Sequence, residues 1–185
     1  MLTKNIKIIP ITTKLLLITI LFGISFIVTA NSNLPEPPNG ILKLTPYPAP
    51  KVQVNDIDGL SFSLEEANGH WVFVHFWASW CGPCRKEMPA IQKMWRILEN
   101  EGLKIALINT AEDEDTIFNF LGIYAPDIRA LMDSDGQVTE KWKPRGLPAT
   151  YLVDPNGKVR YQALGGRPWN TEIFLKFIRT LIKQE

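Results

Sequence analysis

The chain has 185 residues, 45% of them apolar and 21% charged, which is the composition of a packed globular protein and not of a disordered one. Lys and Arg number 20 against 19 Asp and Glu, a formal net charge of +1, so the basic excess of a nucleic-acid binder is missing. With Cys 2 and His 2, the chain has too few cysteines for a disulfide-stapled scaffold, and a four-ligand structural zinc site would use nearly every candidate ligand.

Residues 1–30 stand apart. Lys4, Lys7 and Lys14 are their only charges, and the uncharged run Leu15 to Ala30 follows before Asn31 opens a polar stretch. A basic flank, an apolar run and a polar exit make an export signal or a membrane anchor. The run is at the short edge of a bilayer-spanning helix, which needs about 20 residues, and Val28-Thr29-Ala30 puts small or β-branched residues where a signal peptidase reads. Cleavage and retention as an anchor both stay open. No cysteine near Ala30 offers lipid attachment, and with the positive end held inside, everything beyond Ala30 lies across the membrane.

Residues 31–50 hold Pro35, Pro37, Pro38, Pro46, Pro48 and Pro50. Such a stretch cannot be helix or central strand, so it predicts an extended spacer, with one domain running from Lys51 to Glu185. Val52 to Val54 and Ser61 to Leu64 predict short strands around the Asp58-Gly59 turn. Trp71 to Trp77 is apolar except for His75, as in a central strand covered on both faces. Met88, Ile91, Trp95 and Leu98 recur at the helical period, and Gly102 stops that helix. Ile105 to Ile108 predicts a buried strand, and Asp113 to Leu121 a short helix with acids in its first turn. Ala130 to Met132, Thr150 to Val153 and Val159 to Leu164 predict strands, the last two joined by the turn Asp154-Pro155-Asn156-Gly157. Ile173, Phe177, Ile178 and Leu181 give a closing helix capped by Asn170 or Thr171. The alternation predicts an α/β fold: a mixed central sheet with helices on both faces and an N-terminal hairpin extension.

Both cysteines lie in Trp80-Cys81-Gly82-Pro83-Cys84, between the buried strand and the helix. Two thiols three positions apart on a first helical turn can close and reopen a disulfide with little movement. Unpaired N–H groups and the macrodipole favour a thiolate at Cys81, and Arg85 and Lys86 add positive charge. Cys84, one turn in, is more shielded and suits the resolving role. The competing readings are half of a zinc knuckle or a pair of inert buried thiols.

The segment Val74-His75-Phe76-Trp77-Ala78-Ser79-Trp80-Cys81-Gly82-Pro83-Cys84-Arg85-Lys86-Glu87-Met88-Pro89 resembles the active-site segment of the thioredoxin superfamily, in particular its exported TlpA/ResA/DsbE-like branch. Gly146-Leu147-Pro148-Ala149-Thr150-Tyr151-Leu152-Val153-Asp154 is similar to the segment that carries that family's cis-proline. The resemblance implies a thioredoxin-like fold and a periplasmic thiol-disulfide oxidoreductase that mainly reduces protein disulfides. Its redox pair is Cys81 and Cys84, Pro148 is cis and faces the disulfide, and Trp80, Gly82, Pro83 and Leu147 line the substrate surface. It implies no cofactor and no metal. The implied partners are protein disulfide substrates, with apocytochrome c as the family-level candidate, and a membrane thiol-relay donor of the DsbD type. The glutamate that follows the cis-proline in some cytochrome-maturation members is Ala149 here. A non-catalytic binding module such as a haem-ligation chaperone, or a disulfide oxidase or isomerase, are the alternatives.

In that branch a glutamate at the place of Glu87 lies beside the disulfide and tunes thiol ionisation or moves protons. The bland alternative is a solvated carboxylate paired with a nearby Lys or Arg. His75 departs from the pattern: thioredoxin has a buried acid there and many relatives an Asn. It reads as a core histidine satisfied by backbone, or as a proton relay beneath the disulfide. Pro89, inside the helix, matches a kinking proline of the family. Trp77 reads as core, and the run Glu112 to Asp115 as a solvated helix start.

Overall fold

The computed structural model describes residues 34–184, so the export segment read at 1–30 lies outside the described residues. In chain order the elements are β1 (Leu42–Pro48), β2 (Gln53–Asn55), β3 (Ser61–Ser63), β4 (Val72–Trp77), α1 (Gly82–Leu98), β5 (Lys104–Thr110), α2 (Glu114–Tyr124), β6 (Leu131–Asp133), α3 (Gln137–Trp142), β7 (Ala149–Val153), β8 (Lys158–Leu164) and α4 (Glu172–Ile182). One mixed sheet runs β1-β8-β7-β4-β5-β6, and β2 pairs with β3 as the hairpin expected around Asp58-Gly59. β4 is parallel to β5 and antiparallel to β7, and every one of its residues is buried.

Successive side chains of a strand point to opposite faces, and β4 uses both. Phe73 and Trp77 join the buried residues of α1, α2 and α4 in one core. Val72, Val74 and Phe76 join Val138 and Trp142 of α3, with Val52 and Leu64, in the other. This is the mixed sheet with helices on both faces that the sequence predicts. His75 falls on the Phe73 and Trp77 side of the alternation, the side on which α1 packs.

The structure moves the start of the domain. The stretch read as a spacer contributes β1, which pairs antiparallel with β8 at the sheet edge. Leu34 and Ile41 are buried in the α1 core, and the Tyr161 hydroxyl donates to Pro35 O at 2.8 Å. An edge strand tolerates proline because one side of it has no ladder to donate to, and the β1 register shifts between Lys43 and Tyr47, the interval that holds Pro46.

Two helical stripes also rotate. On α1 the buried set is Met88, Ile91, Met94 and Leu98, and Trp95 is only half-buried. On α4 Phe174 is buried while Ile173 is 60% exposed. A period of 3.6 leaves neighbouring positions competing for the stripe, and packing decides between them. Each large aliphatic side chain so buried contributes about 1.5–3 kcal/mol. Thr171 is the N-cap of α4, but its hydroxyl donates to Pro168 O and makes no cap bond. The sequence predicts no element where α3 lies. That helix has six residues and too few apolar positions to show a period; it is held by buried Asp133, whose carboxylate accepts from Val138 N at 2.9 Å and Thr139 N at 2.7 Å.

Candidate active site

Where β4 ends, the chain turns through Ala78, Ser79 and Trp80 into Cys81, the N-cap of α1. Cys81 has extended backbone, its Sγ accepts from Cys84 N at 3.2 Å, and Arg85 N reaches Cys81 O at 3.1 Å to close the first turn. The two sulfurs are bonded, with Cα atoms 5.2 Å apart. Cys81 keeps 4% of its surface and Cys84 none. The first turn of α1 holds no acidic residue, so nothing there competes with a thiolate for the unpaired N–H groups and the positive end of the helix dipole. Arg85 and Lys86 are exposed beside it.

Glu87, one turn beyond Cys84, is buried. Its Oε2 accepts from Arg167 N at 2.8 Å and from the indole Nε1 of Trp169 at 3.2 Å, so it ties α1 to the loop between β8 and α4. That is not the solvated carboxylate of the bland reading. Its Oε1 stands 3.2 Å from Nε2 of His75, without the alignment of a hydrogen bond. Nδ1 of His75 lies 2.9 Å from the Thr150 hydroxyl. The histidine is therefore held by the Thr150 side chain, with Glu87 in contact at its other nitrogen, and not, as a lone core histidine would be, by backbone. Burial pushes the Glu87 carboxyl up to about 7, against the pull of the Arg167 and Trp169 N–H groups and the Arg167 charge. Burial pushes the His75 imidazole down to about 3. A carboxyl group that changes charge near neutral pH is thus one helical turn from the inner cysteine.

The acidic run divides in two. Asp113 is the N-cap of α2 and accepts from Thr116 N at 2.8 Å. Glu112, outside the helix, reaches back to the loop before Cys81: it accepts from Ser79 N at 2.7 Å, from the Ser79 hydroxyl, and from Asn109 Nδ2 at 2.6 Å. Ala111 sits at φ 56, a left-handed bend that turns the chain here. From the sequence, Glu112 belongs to a solvated helix start; the structure sets it outside the helix, against the loop before Cys81. The Asp113-x-x-Thr116 cap spacing is the signal that sets it outside. Arg167 and Trp169 carry no motif, and only the topology joins them to Glu87.

The Leu147-Pro148 bond is cis, as the resemblance implies, and Pro148 O accepts from Gly165 N at 2.8 Å. Trp80 is 66% exposed, Pro83 is exposed, and Gly82 and Leu147 are half-buried. Two clefts flank Pro83. One of about 430 Å³ runs between Pro83, Lys86 and Glu87 on α1 and Gly166, Arg167 and Pro168 opposite. The other, of about 590 Å³, is lined by Gly82, Pro83, Arg85, Lys86, Pro89 and Tyr124. A third of about 540 Å³, by Leu60, Phe62, Trp95 and Arg129, includes none of these groups. Trp77 is wholly buried against Phe120.

Comparison with known proteins places this geometry. Residues 46–162 match the AhpC/TSA family. The chain is 32% identical over 111 residues to the thiol-disulfide oxidoreductase ResA of Bacillus subtilis, which covers 60% of the chain and 62% of ResA, so the chain spans less than two thirds of that relative's length. Among solved structures, a protein from Chlorobium tepidum assigned as a thiol:disulfide interchange protein DsbE superposes with a TM-score of 0.68 at 28% identity, covering 76% of this chain and 99% of its own. A thiol:disulfide interchange protein from a Bacteroides species gives a TM-score of 0.64 at 26% identity, covering 76% and 91%.

Proposed function

The chain belongs to the AhpC/TSA family, and from that premise we propose that it is a thiol-disulfide oxidoreductase that reduces disulfides in other proteins. The observation that carries the reading is the Cys81–Cys84 pair closed on the N-terminal turn of α1, with Cys84 wholly buried. The Cys81 thiolate attacks one sulfur of a substrate disulfide, forming a mixed disulfide and expelling the other sulfur as a thiolate. Cys84 then loses its proton and attacks Cys81 Sγ, which frees the second substrate thiolate. The substrate gains two electrons and the Cys81–Cys84 pair becomes the disulfide seen here. Glu87, one helical turn beyond Cys84 on α1, takes the Cys84 proton in this reading. Trp80, Gly82, Pro83 and Leu147 offer the surface on which an extended substrate lies, and the backbone around Pro148 pairs with it as an added strand does.

The Gly82-Pro83 dipeptide is the one thioredoxin has, and thioredoxin's potential of about −270 mV lies far below the periplasmic oxidant's, about −120 mV. This supports electron donation over oxidation. The reading includes export to the periplasm by residues 1–30 and regeneration by a membrane thiol relay of the DsbD type, because an oxidising compartment does not re-reduce such a pair. Apocytochrome c is one substrate class, and Ala149 after the cis-proline supports a range that extends to other extracytoplasmic protein thiols. Reduction of insulin by dithiothreitol tests the activity: the protein accelerates it and Cys81→Ser does not. A rate equal to dithiothreitol alone contradicts the reading.

A further inference from the structure

His75 and Glu87 present a polar contact that the redox reaction as written leaves unused. Nε2 of His75 and Oε1 of Glu87 are buried, 3.2 Å apart, and neither has a hydrogen-bond partner elsewhere among the described residues. Two buried polar atoms so placed need a proton between them, since two lone pairs or two N–H and O–H groups facing each other leave both unsatisfied. A carboxyl group with a fixed neighbour meets that need in only one of its two protonation states. The neighbour here is an imidazole whose other nitrogen faces the Thr150 hydroxyl at 2.9 Å, and a hydroxyl both donates and accepts.

We infer that His75 is a positioning residue that satisfies Glu87 in both of its protonation states by changing tautomer against Thr150. When Glu87 is ionised, the imidazole proton is on Nε2 and donates to Oε1, while Nδ1 accepts from the Thr150 hydroxyl. When Glu87 is protonated, Oε1–H donates to Nε2, and Nδ1–H donates to Thr150 Oγ1. The imidazole carries one proton and no charge in either state. The proton that distinguishes them is the one exchanged with Cys84: the Cys84 S–H bond breaks, the Glu87 O–H bond forms, and the imidazole changes only which nitrogen bears its hydrogen. This rests on the reading of Glu87 as the proton acceptor for Cys84.

The surroundings leave the pair to itself. On β5 the residue opposite His75 is Leu107, the Phe73 ring stacks on the imidazole at 5.8 Å, and the Trp169 indole donates to the other carboxyl oxygen. Thr150 faces it from β7. Arg167 acts on Glu87 through its backbone N–H and its charge, Lys86 lines the same cleft as Glu87 and Arg167, and Cys84 lies one helical turn back on α1. Burial works against an imidazolium at this place, so a change of tautomer is the response left to it.

Ring-nitrogen NMR of the full protein, with histidine labelled in ¹⁵N and glutamate in ¹³C, tests this across the neutral range in the oxidised form. His70 is assigned through its own substitution. The expected result is that the His75 proton moves from Nδ1 to Nε2 with the same midpoint as the Glu87 carboxyl signal, and that both nitrogens are never protonated together. In Glu87→Gln the tautomer stays fixed at every pH. In Thr150→Val, which removes the hydroxyl with little change of shape, one tautomer loses its partner and the Glu87 midpoint moves by about one pH unit. A single tautomer throughout the wild-type titration, a doubly protonated ring near neutral pH, or an unmoved midpoint in Thr150→Val overturns the inference. Unchanged thiol alkylation in Glu87→Gln is a separate outcome: it removes Glu87 from the thiol chemistry and with it the exchange with Cys84, while the NMR result still decides the tautomer.

Discussion

Replacing Glu87 by Gln keeps its size and its acceptors for Arg167 N and Trp169 while removing its titration, and the consequence for stability has a definite sign. The carboxyl sits at about 7 in the folded protein against 4.5 when free of its surroundings. Between those values the native state holds a proton that the unfolded chain has released. The stabilisation is therefore complete below pH 4.5 and is lost as the pH rises through about 7. At 1.36 kcal/mol for each pH unit, the loss is roughly 3 kcal/mol. His75 runs the other way: the unfolded chain takes a proton below 6.5 and the native state only near 3, so stability climbs with pH across that interval. Together the two give a plateau between 4.5 and 6.5, where each state holds one proton, and a decline above it. Glu87→Gln retains only the His75 climb. Urea unfolding of the oxidised protein, with the disulfide closed so that no thiol titrates, measures this at several pH values. The variant should gain roughly 3 kcal/mol on the wild type between about pH 4 and about pH 8. A difference that stays constant over that range refutes a raised Glu87 and the burial argument behind it.

Glu112→Ala strips the acceptor from Ser79 N, the Ser79 hydroxyl and Asn109 Nδ2, and should cost about 1–3 kcal/mol in urea unfolding; no measurable loss would return Glu112 to a solvated carboxylate. Gly40→Ala should also destabilise by about 1–3 kcal/mol. Gly40 is at φ 91, a Cβ there would run into Arg167 Nε, and Arg167 holds Gly40 O with two of its nitrogens. A neutral outcome would mean that the N-terminal arm is not fastened through Arg167. The potential of the Cys81–Cys84 couple, measured by equilibration with glutathione buffers, should fall nearer to thioredoxin's than to the periplasmic oxidant's, and a value above about −180 mV contradicts the reductant reading.

Among the described residues, five of the six strands of the main sheet and three of the four α-helices were legible because their side chains repeat. The run from Val72 to Trp77 has no polar break but His75, and the β7–β8 turn is spelled out by Asp154-Pro155-Asn156-Gly157, where Asp154 Oδ1 accepts from Asn156 N and Lys158 N. β1 was hidden by its prolines, which argue against a central strand but not against an edge. α3 was hidden by its length, since its fold depends on Asp133 from another element and not on a pattern of its own. At the site, the cysteines and Pro148 are local motifs. His75 lies in the same segment as Glu87, but Arg167 and Trp169 are not part of any motif with it, because they reach it from the loop between β8 and α4, 80 and 82 positions along the chain, and no spacing rule connects residues that only the fold brings together.

Trapping with single cysteine variants tests the central claim most directly. Cys84→Ser leaves the Cys81 thiolate able to attack and removes the thiol that releases the product. In its own cell envelope, this variant should therefore accumulate mixed disulfides through Cys81, seen as discrete heavier bands on non-reducing electrophoresis and lost on reduction. Cys81→Ser should trap almost nothing, because Cys84 has no exposed surface. Equal trapping by the two variants, or none by either, would contradict the assignment of Cys81 as the attacking residue and of the protein as a reductant of protein disulfides.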